Sequence, residues 1–314
     1  MLSDRNRLGL ELLDRLDGVR PDIVLAPVTT FKVGGPCDWF LDARSSSEVS
    51  EALATASRIG MPVTILGGGS NVLIGDGGIR GLVLRFRQKD VSEVGPGVVR
   101  ASAGVSLNAL VRWTIRNGFA GLERWAGTPG TVGGAIYGNA HFQGRLLGTL
   151  VQRVGLCGLD GCEYWVDKEE MEFRYDSSRI QSSREVVLWV DFEVNSEDPD
   201  LLRKRARDSI SYRRQTQPLR FQSAGCIFRN PDPRVESVPN GIAPSAGALI
   251  DFAGLKGSRV GMARVSEQHG NFIISEGRTS AKDIRTLIER CQMRIESEFG
   301  ISLRREVVYL GEFS

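Results

Sequence analysis

The sequence predicts an α+β fold with more than one domain. The chain has 314 residues, of which 41% are hydrophobic and 25% are charged, an ordinary composition for two or three globular domains. Segments of strand character and of helix character intermix without a regular βαβ rhythm. This order favours α+β over a doubly wound parallel sheet.

Turn residues and apolar periodicity place the elements. Ser45 and Glu48 form an expected capping box for a helix that Gly60 ends. The expected elements are an amphipathic N-terminal helix, a helix over 45–58, strands over 63–66 and 81–86, a helix over 106–117, mostly strands over 150–195, a basic helix over 198–216, a short helix over 245–255, a strand over 271–275, a helix over 279–299 and a last strand over 305–311.

Charge and cysteine usage exclude several classes of protein. The net charge of +2 gives no electrostatic case for nucleic acid or a membrane surface, and no apolar run reaches transmembrane length. The five cysteines are scattered without a CxxC pair, which argues against a disulfide framework and a zinc site. We therefore expect a cytoplasmic protein without a metal.

Three glycine-rich stretches suggest a ligand held by backbone. The segment ILGGGSNVL follows a strand, and its glycines allow close approach and a concave nest of N–H groups for an anion. GTPGTVGGA, which leads to Asn139, and the weaker TTFKVGG have the same character. Neither a P-loop nor a GxGxxG fingerprint is present. The three stretches therefore indicate a dinucleotide that is bound by a backbone arrangement other than these two motifs. The alternative is that the stretches are only tight structural turns.

The segment QSAGCIFRNP carries candidate chemistry. Gly225 permits close backbone approach, Cys226 offers a thiol, and Arg229 and Asn230 add a cation and an amide. For a lone cysteine, an inert residue packed in a turn is the ordinary alternative.

Seven motifs in order resemble a known family. TTFKVGG, ILGGGSNVL, GLERWAGTPGTVGGAIYGNA, YRRQTQP, SAGCIFRNP, SAGALIDFAGLKG and REVVYLG span about residues 28–309. The chain resembles the UDP-N-acetylenolpyruvoylglucosamine reductase (MurB) family. Because it has no long insert between 195 and the basic helix, it resembles the shorter, type II branch.

The resemblance implies a fold, cofactors and a reaction. It implies a PCMH-type (vanillyl-alcohol-oxidase-like) FAD-binding domain over 1–212, with subdomains of about 1–86 and 87–212. A C-terminal substrate domain would cover 213–314, with its last strand returning toward the active site. NADPH would be the reductant and UDP-N-acetylglucosamine enolpyruvate the substrate. The hydride would pass through FAD N5, in a monomer that makes a peptidoglycan precursor.

The same resemblance implies the site residues. Cys226 stands where the family mostly has the serine proton donor, and a thiol releases its proton more readily than an alcohol. Glu306 would orient or polarise the enolpyruvyl group. The implied cofactor-binding residues are Gly67, Gly68, Gly69, Ser70, Asn71, Thr128, Pro129, Gly130, Thr131, Gly133, Gly134 and Asn139. The implied substrate-binding residues are Arg213, Arg229, Asn230 and His269.

One position departs from the family pattern. Asp176 follows Tyr175 where the family has an arginine that contacts substrate. We expect Arg179, or else Arg174, to supply the missing charge. Arg179 is preferred because a strand or turn would return its side chain to the face of Tyr175.

Two alternatives remain from the sequence. One is a PCMH-type FAD oxidase of an alcohol or hydroxy acid, which bleaching of the flavin by NADPH would distinguish. The other is a non-catalytic nucleotide-binding module, suggested by Asp176, which would be purified without flavin.

Overall fold

A computed structural model describes residues 4–232 and 234–313, and the expected α+β class is confirmed. The strands are β1 (Arg20–Val24), β2 (Pro36–Ala43), β3 (Val63–Ile65), β4 (Val72–Ile74), β5 (Ile79–Phe86), β6 (Val91–Gly95), β7 (Val98–Ser102), β8 (Phe119–Ala120), β9 (His141–Phe142), β10 (Arg145–Leu146), β11 (Val151–Cys157), β12 (Glu163–Asp167), β13 (Val186–Glu193), β14 (Asn195–Ser196), β15 (Arg259–Val260), β16 (Ala263–Val265), β17 (Ile273–Ser275) and β18 (Val308–Leu310).

Each expected helical segment contains a helix, and the two short helices Val132–Tyr137 and Ile180–Ser183 were not expected. The helices are α1 (Asp4–Arg15), α2 (Ser46–Ile59), α3 (Leu107–Arg116), α4 (Val132–Tyr137), α5 (Ile180–Ser183), α6 (Pro199–Thr216), α7 (Ala246–Phe252) and α8 (Ala281–Phe299). Within the described ranges, no helix combines the length and apolar character needed to span a bilayer.

The chain divides into two compact units. Unit 1 comprises residues 1–23, 37–68 and 80–211, and unit 2 comprises residues 24–36, 69–79 and 212–314. Two early segments, 24–36 and 69–79, thus cluster with the C-terminal part of the chain. The predicted limits of 1–212 and 213–314 remain a prediction.

The two larger sheets lie mainly in unit 1. The four-stranded sheet has the order β1-β2-β5-β3, with β3 and β5 parallel. The five-stranded sheet has the order β12-β11-β13-β7-β6 and is antiparallel throughout. Helices α2 and α3 present apolar stripes to the core of this unit, with Leu53 and Leu110 among the buried residues.

Unit 2 has its own core around α8. The antiparallel sheet β15-β16-β17 and α7 pack with the buried face of α8, which includes Ile284, Leu287 and Ile288. Strands β4 and β18 pair in parallel, with Val72 opposite Val308. This pairing joins the segment after the first glycine loop to the end of the chain.

Three expectations need correction. Ser45 accepts from the N–H of Glu48, but the Glu48 carboxylate accepts from Arg44 N–H instead of Ser45 N–H, so the capping box is only half formed. The strand character expected over 150–195 is interrupted over 168–185 by turns and α5. The last strand, β18, is only three residues long, because the N–H groups of Glu306 and Val307 before it bond to Ile227 O.

Candidate active site

Two glycine-rich loops of unit 1 come into direct contact with each other. A Cβ atom on Gly67 would lie 2.8 Å from Thr131 Oγ1, and one on Gly68 would lie 2.7 Å from Gly130 Cα. At Gly68 the neighbouring atom is backbone, which cannot give way, so this position requires glycine; at Gly67 the neighbouring atom is a side-chain oxygen. The two stretches identified in the sequence therefore come together in unit 1.

Side chains hold the second loop in shape. Thr131 is the N-cap of α4, and its hydroxyl accepts from Gly134 N–H at 3.3 Å. Asn108 grips the loop from α3: its Oδ1 accepts from Gly127 N–H at 2.7 Å, and its Nδ2 donates to Thr128 O at 2.9 Å. Sequence reasoning missed Asn108, whose only signal was an amide on an otherwise amphipathic helix.

The first loop continues into unit 2, where TTFKVGG braces it. Gly69 has φ +63°, and a Cβ there would lie 2.2 Å from Val28 O. The N–H and hydroxyl of Thr30 both donate to Gly69 O, at 2.9 and 3.2 Å. The Thr30 segment thus fixes the turn within unit 2.

The loop residues fit an anionic cofactor group. Across the described ranges, the N–H groups of residues 67–71 donate to no protein acceptor. Consecutive donors on a glycine-rich turn, such as those of Gly69, Ser70 and Asn71 in unit 2, are suited to a pyrophosphate, since unpaired backbone N–H groups are strong anion ligands. This fits the FAD predicted from the resemblance, with Ser70 and Asn71 in the same turn.

Asn139 is fully buried and braces a neighbouring turn. It has φ +45°, its Nδ2 donates to Arg174 O, and its Oδ1 accepts from Gly148 N–H, each at 2.8 Å. The side-chain nitrogen and oxygen of Asn139 thus both bond to main-chain groups. A direct contact of Asn139 with FAD stays a prediction. The braced turn spans 174–177, where the Arg174 and Ser177 main chains exchange both hydrogen bonds.

The turn sets the surroundings of Tyr175 and Asp176. Asp176 takes φ +53° and is buried. Tyr175 is 42% exposed, and its ring centroid lies 4.7 Å from that of His141. The aspartate at the position of the family arginine is thus built into a left-handed turn, where Asp is among the better-tolerated residues.

Arg179 lies in a turn, where its backbone takes the helical conformation directly before α5. A strand or a turn was expected at this residue from the sequence. Its guanidinium contacts both carboxylate oxygens of Glu185, at 2.6 and 3.0 Å, and also Tyr164 Oη at 3.2 Å. Arg174 and Arg179 both line a cavity of about 300 Å³. The role of Arg179 toward substrate stays a prediction.

In unit 2, hydrogen bonds to the carbonyl group of Ile227 connect the segment that carries Cys226 with the segment that carries Glu306. Ile227 O accepts from the N–H of Glu306 at 2.8 Å and from that of Val307 at 3.3 Å. Asn71 reaches Glu306 from the other side, since its Nδ2 donates to Glu306 O at 3.2 Å. The thiol segment and the carboxylate segment are therefore adjacent, and Cys226 forms no disulfide.

Arg213 is a buried cation near the thiol. It is 6% exposed at the end of α6. Burial lowers the pKa of its guanidinium to about 10, an effect that the attraction of the Cys226 thiolate partly opposes. The two residues are therefore close enough to interact electrostatically.

The other predicted substrate residues surround the same segment of unit 2. Asn230 Oδ1 accepts from Ala246 N–H at 3.1 Å, in the first turn of α7. Arg229 N–H donates to Arg304 O at 2.9 Å. His269 Nδ1 accepts from Asn271 N–H at 3.2 Å, and burial lowers the pKa of His269. Substrate contacts by these residues stay predictions.

The α+β fold and the glycine loops fit a flavoprotein that binds FAD. Residues 38–156 match the model of the FAD binding domain, and residues 217–310 match that of the UDP-N-acetylenolpyruvoylglucosamine reductase C-terminal domain. The chain belongs to the UDP-N-acetylenolpyruvoylglucosamine reductase family, which agrees with the resemblance seen in the seven motifs.

Full-length relatives support this assignment. The reductase of Gloeobacter violaceus is 37% identical over 94% of this chain and 97% of its own. That of Anoxybacillus flavithermus is 35% identical over 97% and 99%. The crystal structure of the reductase (MurB) from Thermus caldophilus has a TM-score of 0.79 and 31% identity, covering 93% of this chain and all of that one. The reductase is thereby favoured over the oxidase and the non-catalytic alternatives.

Proposed function

We propose that this FAD-dependent reductase uses NADPH to reduce UDP-N-acetylglucosamine enolpyruvate to UDP-N-acetylmuramate, with Cys226 as proton donor. The observation that carries the proposal is the shared Ile227 peptide, which bonds to Glu306 N–H at 2.8 Å directly beside Cys226. A proton donor and a carboxylate on adjacent backbone segments suit protonation of a polarised carbon.

FAD, when bound, supplies the transfer of two electrons from NADPH to the carbon–carbon double bond of the substrate. The N–H groups of residues 67–71 would hold its pyrophosphate, and the backbone from Thr128 to Gly134 would line it. We propose Pro129 and Gly133 as part of that lining, because they belong to the loop that packs on Gly67 and Gly68.

Cys226 completes the addition across the double bond. Its thiol proton goes to the carbon next to the carboxylate, and the thiolate regains a proton from water. The guanidinium of Arg213, which attracts the Cys226 thiolate, would stabilise the negative charge left after this transfer. No oxidant or further reductant is required for this step.

Glu306 and the remaining predicted residues would orient the substrate. Two hydrogen bonds hold the backbone of Glu306: its N–H donates to Ile227 O, and its carbonyl oxygen accepts from Asn71 Nδ2. A fixed backbone suits a carboxylate that must keep one position. We propose contacts with the UDP-sugar for Arg213, Arg229, Asn230 and His269, and contacts with the enolpyruvyl group for Tyr175 and Arg179.

The test separates the two half-reactions in an anaerobic stopped-flow instrument. Cys226→Ala should bind FAD and be reduced by NADPH like the wild type, but its reduced flavin should not be reoxidised by the enolpyruvyl substrate. Cys226→Ser should keep substantial reoxidation, because a hydroxyl can also donate a proton. Reoxidation at the normal rate in Cys226→Ala would reject the assignment.

Further parts of the proposal concern organisation and location. We propose a monomer that works in the cytoplasm, with an FAD-binding domain over 1–212 and a substrate domain over 213–314. The basis for the location is the family's place in precursor synthesis. Sedimentation velocity across a range of protein concentrations tests the monomer.

A further inference from the structure

Asn271 is a buried amide that grips the segment carrying the proposed proton donor. Its side chain belongs to a residue only 3% exposed. Its Oδ1 accepts from Phe228 N–H at 2.9 Å, and its Nδ2 donates to Phe228 O at 2.7 Å. One side chain therefore satisfies both polar groups of a buried residue two positions after Cys226.

The main chain of Asn271 holds the next peptide as well. Its carbonyl oxygen accepts from Ile227 N–H at 2.9 Å, and an antiparallel bridge pairs Cys226 with Phe272. The Ile227 carbonyl points the other way and accepts from Glu306 and Val307. The Cys226 segment is thus clamped between Asn271 on one side and Glu306 on the other.

The clamp has little freedom to shift. The main chain of Phe228 forms an antiparallel β-bridge with that of Arg305, and Arg229 N–H donates to Arg304 O. Ile227 and Phe228 have side chains that are almost fully buried. A change in the Phe228 peptide would therefore move Cys226 and Glu306 relative to each other, because both bond through the same two residues.

His269 holds Asn271 itself in place. Its Nδ1 accepts from Asn271 N–H at 3.2 Å, so the neutral ring carries its proton on Nε2. The ring packs edge-on against Phe272 with a centroid distance of 4.9 Å. The segment 269–272 is therefore braced before it contacts the Cys226 strand.

We propose that Asn271 is a positioning residue that sets the register between Cys226 and Glu306 for proton delivery. It acts through the Phe228 and Ile227 peptides and need not touch the substrate. The inference rests on the proposed function, since it assumes that Cys226 donates the proton. It adds a residue that no motif in the sequence pointed to.

Two variants test the inference. Asn271→Leu has a similar size but lacks both hydrogen bonds. Asn271→Asp keeps the acceptor for Phe228 N–H and can donate to Phe228 O only when its carboxyl is protonated. Both should keep FAD and near-normal flavin reduction by NADPH. Reoxidation by the enolpyruvyl substrate should fall on the order of 10²-fold in Asn271→Leu, as expected for misplaced catalytic groups.

The pH dependence distinguishes positioning from a general loss of stability. In Asn271→Asp, reoxidation relative to the wild type should recover toward acid pH, because protonation restores the lost donor. Ser275→Ala is the matched control, since this buried hydroxyl has no hydrogen-bond partner among the described residues. It should leave both half-reactions unchanged.

The outcomes separate the two proposals. Slow reoxidation in Cys226→Ala together with normal reoxidation in both Asn271 variants would overturn the inference and leave the proton donor in place. Normal reoxidation in Cys226→Ala would overturn the proposed function instead. If the Asn271 variants lose FAD or slow both half-reactions equally, Asn271 has only a general structural role and the inference is wrong.

Discussion

The carbonyl oxygen of Ile227 accepts a hydrogen bond from the N–H of Glu306 at 2.8 Å. Ile227 follows the predicted proton donor, and Glu306 is the predicted carboxylate, although 79 positions separate the two along the chain. A backbone bond between such distant segments makes their spacing a property of the folded unit. The predictions below test the residues that depend on it.

Alkylation of the proposed donor should abolish turnover. Cys162 is exposed, whereas Cys37, Cys157 and Cys291 are buried, and burial raises the pKa of Cys37 to about 11 and that of Cys291 to about 12. In a Cys162→Ser background, iodoacetamide should therefore label Cys226 first, and loss of activity should follow that labelling measured by mass spectrometry. Full labelling of Cys226 with full activity would contradict its role.

Gly68→Ala should weaken FAD binding strongly. The new Cβ would lie 2.7 Å from Gly130 Cα, so the two glycine loops would have to separate. Flavin content after purification and titration of the apoprotein with FAD measure the effect. Gly95→Ala is the control, because a Cβ there meets nothing within 4 Å. Equal FAD affinity in both variants would show that the contact between the loops does not shape the cofactor site.

The source of the missing positive charge can be found by comparing two arginine variants. Arg179→Ala should raise the KM for the enolpyruvyl substrate if Arg179 replaces the family arginine, even though it already pairs with Glu185. Arg174→Ala is the parallel variant on the same cavity. A raised KM in Arg174→Ala alone would transfer the role to Arg174, and unchanged KM and kcat in Arg179→Ala would reject Arg179.

His269 should make stability depend on pH. Burial first, and repulsion from Lys256 second, lower its pKa in the folded protein, whereas an unfolded histidine titrates near about 6.5. Below that pH the unfolded state binds more protons, so the free energy of unfolding should fall as the pH drops through about 6.5. His269→Gln should remove this part of the slope when urea unfolding of the variant and of the wild type is compared across the same pH range. An unchanged slope in His269→Gln would contradict the prediction.

Asp76 should stabilise unit 2 by capping α8. Its two carboxylate oxygens accept from Ala281 N–H at 2.9 Å and Lys282 N–H at 3.1 Å, in the first turn of a 19-residue helix. Asp76→Ala should lower the free energy of unfolding by about 1–2 kcal/mol, as other N-terminal caps do. The exposed Asp251→Asn change should have a much smaller effect. A loss no larger than that of Asp251→Asn would show that Asp76 does not cap α8 in solution.

Local sequence patterns predicted most of the elements. The helix after Ser45 and the helix before Gly300 begin and end close to the expected residues, because caps and αL glycines are local signals. The strand expected from Asn271 begins only at Ile273, and the main chain of Asn271 bonds to Ile227 instead. Arg179 was expected in a strand or a turn, and it lies in a turn before the short helix α5.

By itself the sequence determined the fold class, the glycine loops and the family, because each depends on residue type and order. Glycine is required where two backbone segments come into close contact, and the glycine-rich motifs indicate such places from residue type alone. Only the tertiary structure decided that Asn271 clamps the Cys226 strand, that Asn108 holds the second loop and that Arg179 pairs with Glu185. The bonds of Asn271 and Asn108 join segments 43 and about 20 positions apart, whereas Arg179 and Glu185 are six positions apart. In each case the partner depends on how the backbone folds and packs, which no local pattern encodes.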